Sequence, residues 1–364
     1  MGAGDHNEPH NASLQALRAI AALAVVVFHV SLTLPPGTAF DVVKQWCFFG
    51  FVGVDIFFVL SGYVVTRSAL LIGSGSDARQ FVLRRLGRVY GGYWPVLALG
   101  ALLVLAGVPA LNLQGDWLSS VFLATPWIDR NVLPVAYTLT YELWFYGLTT
   151  IALFAIQRGD RRRQAVLVAI AGLLVWQAIL MLWDFAAWRA NRVPLTFVLS
   201  GLNLEYLAGA FVAMIEPARL LAHGRRIRLL GFLLLAAGSV ALVVGWQWTG
   251  WTVVRAAICG AIGLGGLLLA LSRPPQGADG GAQALLPRIG DASFSLYLMH
   301  SLVLELVLVG STLLLDSFEG ARRAMIAPIA LVLAVLVALN WYRYVERPLY
   351  HAWCRWLTRM RVTA

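Results

Sequence analysis

Between Leu14 and Leu34 the chain runs for about twenty residues with only two ionisable side chains, Arg18 and His29. Wound as a helix, a segment this long and this apolar fits the ~30 Å hydrocarbon core of a bilayer. Nine comparable runs follow, at 47–72, 93–111, 137–157, 164–184, 197–216, 228–247, 252–272, 294–315 and 324–345. In lipid every backbone N–H and C=O must find its partner within the segment or in a closed barrel. Runs of this length therefore predict an all-α integral membrane protein with about ten transmembrane helices and short cytoplasmic surface helices.

Composition agrees. Of the 364 residues 60% are hydrophobic and 13% charged, against about 25% charged in a soluble domain. The net charge of +10 could mean nucleic acid, but the basic residues follow the spans rather than forming one patch. With the N-terminus inside, 21 of the 28 lysines and arginines fall in inner segments and 6 in outer ones, with Arg255 near the outer end of its span. That is the positive-inside pattern. It predicts a multi-pass protein with both termini cytoplasmic and excludes nucleic acid as a partner.

The organisation read from this pattern is a polar cytoplasmic N-terminus (1–13), a ten-helix domain (14–349) and a basic cytoplasmic tail (350–364). The opening MGAGDHNEPHNAS lacks the basic region of a cleaved signal peptide, so the first run is expected to stay as a span. The three cysteines, Cys47, Cys259 and Cys354, have neither disulfide-framework nor metal-ligand spacing. Two arginine-rich stretches, 79–94 and the segment beginning ERPLYHAW, suit helices lying on the inner surface. The Gly- and Pro-rich 273–290 reads as a flexible loop. No repeat of fixed period is present.

The ionisable residues inside the spans carry the chemistry. Arg18 and His29 are eleven residues apart, which places them on one helix face and about 16 Å apart along the axis. Alone, Arg18 could be an interfacial charge and His29 a hydrogen-bonded core residue; together on one face they suggest a site. Asp55, Glu142 and Glu205 are expected in the outer half of the bilayer with His29. A carboxylate holding one imidazole nitrogen would leave the other free as a general base. His300, near the inner end of its span, reads as a second-site or structural residue. Arg84, Arg85 and Arg88, with Arg18 nearby, suit a phosphorylated cytoplasmic donor such as a coenzyme A ester, or else lipid headgroups.

Six blocks in order then resemble the membrane acyltransferase 3 family, integral-membrane O-acyltransferases that modify bacterial surface sugars and some small molecules. They are Arg18 and His29 in RAIAALAVVVFH; Gly53, Asp55, Ser61 and Gly62 in FFGFVGVDIFFVLSGYVV; RRLGRVYGGYW; Glu142 in YTLTYELWFY; Tyr297 and His300 in SFSLYLMH; and VERPL. The resemblance covers roughly residues 13 to 349. Tyr137 and Thr138 stand where the family usually has Trp and Ser, and Gly91 where it usually has Pro. The soluble esterase-like domain of some members is expected to be missing.

The resemblance implies transfer of an acyl group, acetyl first and succinyl second, from cytoplasmic acyl-CoA to a hydroxyl. The acceptor would be a cell-surface or exopolysaccharide sugar or its lipid-linked precursor, and the location the bacterial inner membrane. Acetyl-CoA is the implied co-substrate, and no metal is implied. His29 would be general base or transient acyl carrier, oriented by Asp55 or Glu142. Arg18, Arg84, Arg85, Arg88, Ser61, Tyr297 and His300 would bind substrate or CoA, with Glu205 a further candidate. The alternatives are an O-acyltransferase acting on a macrolide-like small molecule and a proton-coupled secondary transporter.

Overall fold

The computed structural model describes residues 11–35, 37, 40–70, 75–155, 197, 200–245, 252–272, 285–314 and 319–362. Among these residues there is no strand. The first helix, α1 (Ala12–Leu32), starts where the Asn11 side chain accepts hydrogen bonds from the N–H groups of Ser13 and Leu14 at 3.0 and 3.3 Å. Those donors would otherwise be orphaned at a helix start. α2 (Asp41–Phe48) passes through one 3₁₀ turn into α3 (Val52–Leu70), and α4 spans Gly75–Leu105. The short α5 (Trp117–Val121) precedes α6 (Tyr137–Ala155). The second half holds α7 (Leu202–Ala213), α8 (Pro217–Ala222), α9 (Gly224–Gly245), α10 (Thr252–Leu271), α11 (Leu285–Asp291), α12 (Ser293–Leu314), α13 (Glu319–Trp341) and α14 (Arg347–Val362).

Among the described residues seven helical stretches are long and apolar enough to cross a membrane, and Leu202–Ala213 is a shorter apolar helix. The protein is an all-α membrane protein. The expected span at 164–184 lies outside the described residues.

Helices cannot be driven together by the hydrophobic effect when the solvent is as apolar as leucine, so close packing of small residues takes its place. α1 is the hub, in contact with α2, α3, α10, α11, α12 and α13. Its Ala19, Ala21 and Ala22 are fully buried. Ala19, Ala22, Val26 and Val30 share a cluster with Ala327, Ala330, Ala334 and Ala338 of α13. α3 and α7 approach still more closely. A Cβ on Gly62 would run into the Tyr206 carbonyl, and one on Gly209 into the Val59 carbonyl.

Two expected local features differ. The arginine-rich stretch 79–94 is not a separate surface helix but the first half of α4. Phe81, Val89 and Tyr93 are buried there, and Trp353 covers Gly87 and donates to the Leu83 carbonyl at 2.8 Å. The apolar residues of that stretch continue in phase past Trp94, so the helix has no reason to stop. The segment beginning ERPLYHAW is helical as expected: α14 continues from α13 through one π-helical turn (Tyr342–Glu346) and packs on α4. The loop 273–290 is helical from Leu285, and α11 lies so close to α1 that a Cβ on Gly290 would strike the Gln15 carbonyl. The rest of that loop, 273–284, lies outside the described residues.

Candidate active site

α1 sets the frame, because its axis carries Arg18 toward one end of the bundle and His29 about 16 Å further along. Around Arg18 gather residues from four other helices. Arg88 of α4 is the strongest charge it feels, followed by Glu346, Asp291 and Glu142. Arg88 in turn lies in the field of Glu346, Tyr146, Tyr350 and Glu142. Among the described residues the close ion pairs are Arg255–Asp55 and Arg219–Glu216; neither Arg18 nor Arg88 has one. Two guanidinium groups within each other's electrostatic reach, neither in a close ion pair with a described carboxylate, form an incompletely neutralised region that suits a multiply charged anion.

The neighbouring side chains hold this pocket in shape. Arg85 donates to the Ser68 hydroxyl at 2.8 Å and lies over the rings of Phe81 and Tyr146. Tyr146 donates to Glu142, and Ser295 donates to Glu346. Arg84 keeps its Nε buried without a hydrogen-bond partner. Glu142 was expected in the outer half beside His29, but it sits at the arginine end, because α6 begins deep in the bundle rather than at its surface. Thr138, in the first turn of α6, is buried and bonded to Tyr297.

At the other level His29 meets His300. His29 Nδ1 is 2.9 Å from the Val25 carbonyl and 3.3 Å from His300 Nε2. His300 Nδ1 is 3.2 Å from the Leu296 carbonyl. Each ring thus turns Nδ1 toward the carbonyl four residues back in its own helix. A carbonyl only accepts, so both imidazoles carry their proton on Nδ1. The His29 Nδ1–H is then shared between Val25 O and the lone pair of His300 Nε2. His29 Nε2 is left with its lone pair and no partner among the described residues. Phe28 packs edge-on against the His29 ring, and Tyr297 lies beside His300. The Tyr297 hydroxyl is bonded to Thr138 and to the Val135 carbonyl.

The expected histidine–carboxylate pair is therefore not formed. His300 takes the place assigned to an acid. Asp55 is fully buried and engaged elsewhere: Arg255 grips both its oxygens at 2.9 Å. Glu205 lies beside that pair, close to Asp55, with both oxygens buried. Asp55, Glu205 and Arg255 each occupy the first turn of their helix, where the N-terminal backbone dipoles favour the two carboxylates. This cluster joins α3, α7 and α10. Ser61 is half-buried on α3 and makes no hydrogen bond with described residues.

The sequence reading missed Glu346, Ser295 and Tyr146, which shape the arginine pocket, and Arg255, placed only near the outer end of its span. Glu346 stood in a quoted block, VERPL, and an acid at the cytoplasmic end of a span was the available signal.

The acyltransferase-domain family model matches residues 11–342. The peptidoglycan O-acetyltransferase OatA of Listeria monocytogenes is 25% identical over 217 residues, covering 57% of this chain and 30% of its own length. YrhL of Bacillus subtilis, provisionally named a peptidoglycan O-acetyltransferase, is 27% identical over 231 residues, covering 58% of this chain and 34% of its own. The chain thus spans about a third of the length of these curated relatives. No solved structure matches. The match runs from the cap of α1 through α13 and takes in Arg18, Arg88, His29 and His300; the chain belongs to the membrane acyltransferase 3 family.

Proposed function

We propose that this protein transfers an acyl group, acetyl in the first instance, from acyl-CoA to a hydroxyl of a cell-wall or cell-surface polysaccharide. The observation that carries the reading is the placement of two features on one face of α1. An arginine pair without ion-paired carboxylates stands at Arg18, and an imidazole with a free Nε2 stands at His29. Acyl-CoA has this polarity, with phosphates at one end and the reactive thioester at the other end of a thin arm. The arginine end faces the cytoplasm by the positive-inside rule, where acyl-CoA is found. Arg18 and Arg88 hold the phosphates, and the arm runs along the small residues of α1 toward His29.

In the transfer, His29 Nε2 takes the proton of the acceptor hydroxyl as the oxygen attacks the thioester carbonyl. The new C–O bond forms, the C–S bond breaks, and the imidazolium returns its proton to the departing thiolate. During the step both His29 nitrogens carry protons. The Nδ1–H is already aimed at Val25 O and at the His300 lone pair, so the cation is met by two acceptors. His300 orients and stabilises without carrying charge. Attack by His29 Nε2 itself, giving an acyl-imidazole that the acceptor then opens, uses the same lone pair.

The acceptor class is drawn from the relatives, two of which carry the name peptidoglycan O-acetyltransferase. The test is coenzyme A release from acetyl-CoA by protein in proteoliposomes, with and without peptidoglycan fragments. Acceptor-dependent release supports the reading. Absence of release with acetyl-CoA and with succinyl-CoA contradicts it.

A further inference from the structure

The connection between α4 and α6 folds back along α4. Tyr90, Tyr93 and Trp94 of α4 donate to three successive backbone carbonyls, those of Phe122, Ser120 and Val121, at 2.9, 3.0 and 3.0 Å. α4 ends at Leu105, eleven residues or about 16 Å beyond Trp94. After leaving α4 the chain therefore turns back along it, with Leu111 packed on Gly100. It descends to the level of Tyr93 before α6 begins. None of α4's outer half can be moved out of the bilayer to relieve this. Between Arg88 and Leu105 it has no charged residue, its length there is about 25 Å, and Leu102 and Leu105 are 63% and 85% exposed.

The returning segment is mostly non-helical. It is tied to itself by few backbone bonds, such as Asn112 N–H to Val132 O and Asp116 N–H to Arg130 O, both 2.8 Å. Its Leu123 has φ +52°, the single positive value at a non-glycine residue among the described residues. Gln114, Asp116, Asp129 and Arg130 are all exposed. The Ser119 hydroxyl and N–H hold the Asp116 carboxyl below its ordinary value, so it is charged at neutral pH. Irregular backbone and exposed charges cannot face hydrocarbon; at membrane depth they occur where they line water.

We infer that the segment 108–136 is a re-entrant loop lining a water-filled vestibule open to the face opposite the arginine pocket, through which the hydroxyl-rich acceptor reaches the histidine pair. Asp116, Asp129, Arg130, Gln114 and Asn112 supply the acceptor-facing hydrogen-bonding groups. The inner end of the loop is Val135, whose carbonyl takes the Tyr297 hydroxyl, one helical turn from His300. Donor and acceptor thus arrive from opposite faces. The identity of the traveller rests on the acyl-transfer reading; the presence of water does not.

The test is a cysteine series. Cys47, Cys259 and Cys354 are replaced by alanine, and Asp116→Cys, Asp129→Cys and Leu102→Cys are introduced singly. A charged, membrane-impermeant methanethiosulfonate is then applied to the outer face of intact cells. The expected result is rapid modification at 116 and 129 and none at 102. In each labelled variant, acyl transfer to polysaccharide falls at least tenfold relative to the same variant unlabelled, and binding of acetyl-CoA is unchanged. Failure to label 116 and 129 from outside, or equal labelling at 102, overturns the vestibule. Full labelling with transfer unchanged overturns its use by the acceptor. A cysteine-free parent that transfers no acyl group contradicts the proposed function instead, and the labelling pattern still decides whether the loop lines water.

Discussion

His29 Nδ1 and His300 Nε2 lie 3.3 Å apart although 271 positions separate them in sequence. Each ring is fixed by a carbonyl of its own helix, so their contact is a meeting of two preorganised groups. His300→Ala should lower kcat about tenfold, the worth of one hydrogen bond of about 1.4 kcal/mol, and leave KM for acetyl-CoA unchanged. His300→Gln, whose amide oxygen can accept the His29 Nδ1–H, should recover part of the loss. Steady-state kinetics of the two variants checks this.

The arginine pocket should behave as a binding site. Arg18→Gln or Arg88→Gln removes a charge-assisted contact worth about 1.5–3 kcal/mol. KM for acyl-CoA should then rise roughly ten- to a hundredfold, with a smaller change in kcat. Lysine should substitute poorly, because it cannot present two parallel N–H groups to a phosphate. Titration of acetyl-CoA at two salt concentrations measures both.

Asp55 is placed here as a structural residue. Asp55→Ala leaves the Arg255 guanidinium beside Glu205 without the carboxylate it grips at both oxygens. Breaking a buried pair from one side costs about 3–5 kcal/mol. Arg255 keeps 32% side-chain exposure, which favours the lower end. The Asp55→Ala/Arg255→Met double variant should unfold at a higher temperature than Asp55→Ala alone. Thermal unfolding in detergent reads the order.

Close helix contact makes a further prediction. Gly62→Ala should separate α3 from α7, because the new methyl group meets the Tyr206 backbone rather than a movable side chain. A loss of about 1–3 kcal/mol is expected. Gly91→Ala, mid-helix with open space around the new methyl, should instead stabilise by about 0.5–1 kcal/mol in the same unfolding measurement.

Helical class, membrane location and the placement of Arg18 and His29 on one helix were legible because each depends on local pattern: length of apolar runs, and an eleven-residue spacing within one run. Partner choice was not. Depth along an axis cannot say which helices are neighbours, so Asp55 and Glu142 looked suitable for His29 and His300 did not. The placement of α6 went astray for a related reason. Counting Tyr137 as a surface position assumed that the loop before it stays outside, whereas the hydrogen bonds from Tyr90, Tyr93 and Trp94 draw that loop into the bundle. Glu142 then falls at the arginine level. The arginine-rich stretch of α4 looked interfacial because nothing in its own sequence shows that Trp353 will pack over Gly87.

The central claim is that His29 carries the chemistry while the arginine pocket holds the donor. Coenzyme A release from acetyl-CoA, with peptidoglycan fragments present, tests it in proteoliposomes of wild type and His29→Ala. The account predicts that His29→Ala loses release by at least about a hundredfold, the range of a general base, while still binding acetyl-CoA as tightly as wild type. Equal release by the two proteins, or loss of acetyl-CoA binding in a folded His29→Ala, would contradict it.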